Sequence, residues 1–165
     1  MKKRLGLLWL VFGLLGTVLS AEPVQKDAHA SKKTQAAGQV DFKGLMRKTL
    51  AAWETLNPEK AAPFYAKDAG NVYFDLAPLK YTGWSEYAAG VVKVLADYSS
   101  GKFTVADDSK IHRSGNLTWG TTTWHCELTK NAGGVDKFDG RWTVVWEKRG
   151  NDWLIVHEHV SAPMP

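Results

Sequence analysis

The chain has 165 residues, 44% hydrophobic and 23% charged, with a formal net charge of +4 and a single cysteine. That length suits one domain of ordinary size, and one cysteine excludes an intrachain disulfide. Lys2, Lys3 and Arg4 sit at the start of the chain, and without them 18 basic residues face 17 acidic ones, which leaves no basic excess for a nucleic-acid surface.

"MKKR" followed by "LGLLWLVFGLLGTVLS" has the basic and apolar regions of a secretory signal peptide. Small residues around Ser20 and Ala21 offer the cleavage point, so residues 1–21 are assigned to the signal. The protein is then periplasmic or secreted. No cysteine follows for lipid attachment, and membrane contact would come only through an uncleaved signal. Residues 22–40, rich in Ala, Lys and Gln, read as a disordered spacer that includes His29. The domain is expected over residues 41–165.

Within it, Phe42, Leu45, Met46, Leu50 and Trp53 recur at three- and four-residue spacing, one face of a helix. Asn57 before Pro58 is an N-cap and first-turn pair for a second, short helix, strained or broken at Pro63. "NVYFDLAP" and "LKYTG" read as two short strands. Trp84, Tyr87, Val91, Val92, Leu95 and Tyr98 predict a longer amphipathic helix. After Gly101 the period changes to two. "KFTVADDSKIHRS", "NLTWGTTTWHCELTK", "KFDGRWTVVWEKR" and "DWLIVHEHVS" predict four strands, with turns at Gly115-Asn116, Gly133-Gly134 and Gly150-Asn151. Helices followed by an antiparallel meander make an α+β fold. Cys126, inside a strand pattern, reads as a small buried hydrophobe.

Strict alternation puts Trp153, Ile155, His157, His159 and Ser161 on one face of the last strand, and Leu154, Val156, Glu158 and Val160 on the other. Both faces carry apolar residues, and no spare helix is left to cover the second. The expectation is a homodimer through the sheet face carrying Glu158, with Arg141 or Arg149 pairing the acid.

The element order and several stretches resemble the nuclear transport factor 2-like superfamily. "AAWETLNPEKAAPFYAKDAGNVYFD" is similar to its opening and "YTGWSEYAAGV" to its third helix. "TVVWEKRGNDWLIVHEHVSAP" is similar to the closing hairpin of SnoaL-like proteins. The ending also resembles that of the association domain of calcium/calmodulin-dependent protein kinase, with its His-x-His-x-Ser segment. The resemblance implies a cone-shaped, cystatin-like fold, a curved antiparallel sheet wrapped on about three helices around a pocket. It also implies facing. Asp75, Trp119, Thr121, Thr123, His125, Trp142, Val144, Trp146, His157, His159 and Ser161 would point inward.

Ketosteroid isomerase, a member of this superfamily, places a general base at the position matching Asp75. Its donor tyrosine would fall near Thr49 and its protonated Asp at Val144, so one of three parts is present here. The candidate catalytic residues are therefore Asp75, His157 and His159, and the candidate ligand-binding residues are Trp119, His125, Trp142 and Ser161. A metal bound by His157 and His159 would need His125 or Asp75 as a third ligand; a purely structural pair of histidines is the plainer alternative. The functional expectation is a small, largely apolar ligand in a cone pocket, handled by a binding protein or a cofactor-free isomerase, cyclase or lyase-type enzyme. The alternatives are a non-catalytic assembly module and a metal-binding protein.

Overall fold

A computed structural model describes residues 40–164, so residues 1–21, read as a signal peptide, and nearly all of residues 22–40, read as a spacer, lie outside the described residues. Helix α1 (Phe42–Trp53) starts where the Asp41 side chain accepts the backbone N–H of Gly44 at 2.8 Å. Helix α2 (Pro58–Ala61) is capped in the same way by Asn57, and Pro63 converts its continuation into a 3-10 turn, Ala62–Phe64. Strands β1 (Val72–Phe74) and β2 (Tyr81–Thr82) follow, then α3 (Gly83–Val94). Glu86, in the first turn, reaches back to accept the Thr82 N–H at 3.0 Å, which satisfies a donor at the start of the helix. The helix stops four residues before Tyr98, which opens a strand instead.

The meander has five strands rather than four: β3 (Tyr98–Val105), β4 (Lys110–Ser114), β5 (Leu117–Lys130), β6 (Val135–Arg149) and β7 (Asp152–Ser161). The stretch read as one strand from Lys102 is cut by a corner. There Asp108 accepts hydrogen bonds from the Thr122 hydroxyl and from the backbone and hydroxyl of Thr123, at 2.9–3.3 Å. The sheet order is β2-β1-β7-β6-β5-β3, with β4 pairing the first part of β5 on the edge that β3 takes further along. β1 runs parallel to β7 and every other pairing is antiparallel. The result is a mixed α+β fold with an open, curved sheet whose concave face receives the helices. Phe42, Met46, Leu50 and Trp53 of α1 and Tyr87 and Val91 of α3 pack there against Trp142, Val144, Trp146 and Ile155. Among the described residues, no helix is long and apolar enough to cross a membrane.

The facing of two strands differs from the expectation. On β7 the register shifts opposite Val145 and Trp146: Val145 pairs with His157, but Trp146 pairs with Ile155. Val156 is the extra residue, a β-bulge that reverses the alternation. Ile155 is inward before the bulge, and Glu158 is inward after it, 2% exposed. His157, His159 and Ser161 pair with Val145, Thr143 and Arg141 on the convex face. The acid expected at a dimer interface is thus sealed inside a single chain, and that face cannot be the interface.

On β5 the inward set is Thr118, Gly120, Thr122, Trp124, Cys126 and Leu128, not Trp119, Thr121, Thr123 and His125. The reason is volume. Trp146, Val144 and Trp142 of β6 stand directly opposite Thr118, Gly120 and Thr122, and bulky side chains on one strand need small ones beside them. A Cβ on Gly120 would lie 3.2 Å from the Trp146 ring.

Gly140 plays the same part beneath Trp124, whose indole lies across its Cα with Phe103 and Phe138 at the ring edges. Gly140→Ala should cost about 1–3 kcal/mol in urea unfolding. Gly70→Ala, where nothing lies within 4 Å of the added carbon, should cost less than about 1 kcal/mol.

Candidate functional site

Between the helices and the concave face lies a cavity of about 120 Å³. Its walls are mainly apolar: Trp53 from α1, Tyr87 and Val91 from α3, Phe103, Trp124, Leu128 and Phe138 from the sheet, with Trp142 and Val160 beside them. Exposed Leu76 and Val94 form its rim. Two carboxyl groups break this apolar lining, Glu158 and Asp75.

Glu158 is held by donors from three separate segments. The Tyr87 hydroxyl of α3 donates to Oε1 at 2.5 Å, and the Trp142 indole of β6 donates to Oε2 at 2.9 Å. The Tyr65 hydroxyl, just after the 3-10 turn, reaches both oxygens at 2.9 and 3.1 Å. Tyr65 in turn accepts the Trp53 indole N–H at 2.9 Å. Burial pushes the Glu158 carboxyl up to about 7 from the ordinary carboxylate range, against the downward pull of the Tyr87 hydrogen bond; the charge of Asp75 adds to the rise, and the Trp142 and Tyr65 bonds oppose it. Tyr65 and Tyr87 are pushed well above an ordinary phenol by burial and by Glu158, so they keep their protons.

Asp75 follows β1 directly and is raised by burial, against a lowering bond from the Leu76 N–H to Oδ1 at 2.7 Å. Cys126 also lines the cavity, but burial pushes its thiol up to about 12, so it is no thiolate nucleophile near neutral pH.

Of the residues singled out in the sequence, the structure brings Asp75 and Trp142 together in the cavity. The others lie outside it. His157 binds the Val72 carbonyl through Nδ1 at 2.7 Å, and Phe74 presents its ring to both His157 and His159. Trp119 stacks on His112 on the convex side, ring centroids 5.1 Å apart. His125 is also exposed, with Nδ1 2.8 Å from Asp139 and Nε2 3.4 Å from Glu127. Ser161 sits opposite Arg141. Asp75 and the two histidines therefore occupy opposite faces of the sheet. No group of three or more His, Cys, Asp or Glu side chains among the described residues could hold a metal ion.

The sequence reading missed Glu158, Tyr65 and Tyr87 as site residues. One signal for Glu158 was present: an acid at the centre of "LIVHEHV" must either be paired or be kept neutral.

The buried acid makes stability depend on pH. From about pH 4.5 to about 7 the folded chain keeps the Glu158 proton while the unfolded chain has released it, so the stability it contributes is full below 4.5 and is lost as pH rises through 7. The loss is roughly 3 kcal/mol. Glu158→Gln should therefore melt higher than the unchanged protein at pH 8 and close to it at pH 5. Thermal melts by circular dichroism at the two pH values check this.

Comparison with known proteins agrees with this architecture. A family model described as a SnoaL-like domain matches residues 44–165. Among solved structures, a nuclear transport factor 2-like superfamily protein from Salmonella enterica serovar Typhimurium is 22% identical with a TM-score of 0.66, covering 74% of this chain and 88% of its own. A nuclear transport factor 2-like protein of unknown function from Pseudomonas putida is 23% identical with a TM-score of 0.63, covering 75% and 85%. The association domain of calcium/calmodulin-dependent protein kinase II from C. elegans is 16% identical with a TM-score of 0.59, covering 74% and 93%. No curated protein matches the chain. The cone-like packing of three helices on a curved sheet is the fold of nuclear transport factor 2-like proteins, and the family match agrees with it: the chain belongs to the SnoaL-like domain family.

Proposed function

We propose that this domain binds a small, largely apolar molecule in its cavity and carries out cofactor-free proton transfer on it, as an isomerase, cyclase or lyase-type enzyme. The observation that carries the reading is Glu158, a carboxyl buried in an apolar cavity, fixed by Tyr65, Tyr87 and Trp142 and pushed up to about 7. A group that titrates at neutral pH can give or take a proton with little energetic cost. Asp75 supplies a second carboxyl in the same cavity. Two acids whose environments differ can divide the acid and base roles, with neutral Glu158 as donor and Asp75 as acceptor. The setting is secreted or periplasmic, on the strength of residues 1–21 read as sequence alone.

The test is proton exchange at carbon. A panel of single-ring ketones and hydroxyketones is incubated with the protein in D2O, and deuterium incorporation is followed by NMR. Incorporation should occur for at least one compound and fall by about 10²-fold or more in Glu158→Gln and in Asp75→Asn. Exchange that is absent throughout, or unaffected by both substitutions, sinks the enzymatic reading.

We infer also that the convex face, not the Glu158 face, joins two copies. Exposed Leu117 and Trp119 stand there beside half-buried Val145 and His157, and the likeness to a kinase association domain supports assembly. Trp119→Lys should convert a dimer to a monomer in light scattering after size exclusion. Equal masses for both proteins would count against this face.

A further inference from the structure

We propose that the cavity selects a small organic cation, a ring-sized amine in its ammonium form, over neutral and anionic molecules of the same shape. The inference rests on the reading of the cavity as a small-molecule site and names the ligand class.

Charge inside the cavity is one-sided. Asp75 and Glu158 line it, and among the described residues no Lys, Arg or His does. The nearby basic groups are committed elsewhere. Lys67 donates to the Ala62 carbonyl at 2.6 Å with its Nζ 3.7 Å from the centre of the Trp84 ring. Arg113 lies over Phe42 and donates to the Val40 carbonyl. His157 and His159 are on the other side of the sheet. An anion would enter a low-dielectric space with two acids and no counter-charge, which is costly.

The walls add to this selection. Trp53, Tyr87, Phe103, Trp124, Phe138 and Trp142 surround the space, and an aromatic face attracts a cation through its quadrupole, most strongly where water is excluded. The titratable groups acting on Glu158 are Tyr87 of α3, Tyr65 after the 3-10 turn, Tyr73 of β1 and Asp75. None of them is a cation, and the charge of Asp75 raises the cost of ionising Glu158. An ammonium group in the cavity reverses that effect. The volume, about 120 Å³, is close to that of a cavity that takes one benzene ring.

Linkage gives the test its signature. An ammonium ligand favours ionised Glu158, so binding below about pH 7 must release a proton to the buffer. The full chain is titrated calorimetrically with benzylammonium chloride, benzyl alcohol and sodium benzoate at pH 8 and pH 5.5. At pH 6 two buffers of different ionisation enthalpy are compared.

Benzylammonium should bind at least about tenfold more tightly than benzyl alcohol at pH 8 and weaken several-fold at pH 5.5, with protons released at pH 6 and no binding by benzoate. Asp75→Asn and Glu158→Gln should each reduce the preference for the amine. The buffer comparison needs no variant, so it stands even if a substitution disturbs folding. Benzyl alcohol binding as tightly as the amine, benzoate binding best, or a preference that survives both substitutions overturns the inference and leaves the small-molecule cavity intact. Failure of all three probes to bind overturns the inference together with the reading on which it rests.

Discussion

Burial of the Glu158 carboxyl is the constraint on which the rest of this structure is arranged. A carboxyl removed from water must be hydrogen-bonded or neutral, and a neutral one still needs partners. Here the partners come from every layer. Trp142 is on the neighbouring strand, Tyr87 on the long helix and Tyr65 on the segment leaving the short helix, with Trp53 of the first helix supporting Tyr65. One side chain thus ties the helices to the sheet. The rings that deliver these donors pack against one another: the Tyr65 and Tyr87 centroids lie 5.9 Å apart and those of Trp53 and Tyr87 5.7 Å. Packing and hydrogen bonding fix the same geometry, as a fully satisfied buried network requires.

The bulge at Val156 decides which residues can take part. Without it the last strand would keep one parity from Trp153 to Ser161. Trp153, which meets Phe42 on α1, and Ile155 would then be joined inside by His157 and His159. With it, the apolar start of the strand still covers α1, while the later half turns Glu158 and Val160 into the cavity. A bulge therefore lets one strand serve a dry core at one end and a polar site at the other.

This is also where the sequence stops being readable. The helices at Phe42 and Gly83, the short strands and the long meander follow from periodicity and turn residues, because those signals are local. The facing of β6 was legible too, since Trp142, Val144 and Trp146 alternate cleanly. The facing of β5 depended on a cross-strand volume match, with Thr118, Gly120 and Thr122 small because Trp146, Val144 and Trp142 are large. That match was legible only once the register was known. On β7 a single unpaired residue reversed every assignment beyond it, the known weakness of two-residue periodicity. Asp75 could be located by resemblance because it leaves a short strand with no bulge. Tyr65 and Tyr87 gave no signal of their own, because a tyrosine in an apolar stretch reads as core whether or not its hydroxyl has a carboxyl to meet.

The comparison with ketosteroid isomerase acquires a different meaning once register is considered. The resemblance matches Val144 to the position where that enzyme carries an acid. Yet Val144 pairs directly across the ladder with Glu158, and cross-strand partners share a face. A carboxyl of this chain therefore points into the cavity from the strand beside Val144. The hydroxyls that meet this carboxyl come from other elements than α1, Tyr65 and Tyr87. Since a curved sheet converges its inward side chains, a pocket can exchange the strand that supplies a function without moving the function far. Comparing residues column by column counts two losses in such a pocket, whereas comparing faces counts a carboxyl and two phenols held in hydrogen-bonded contact.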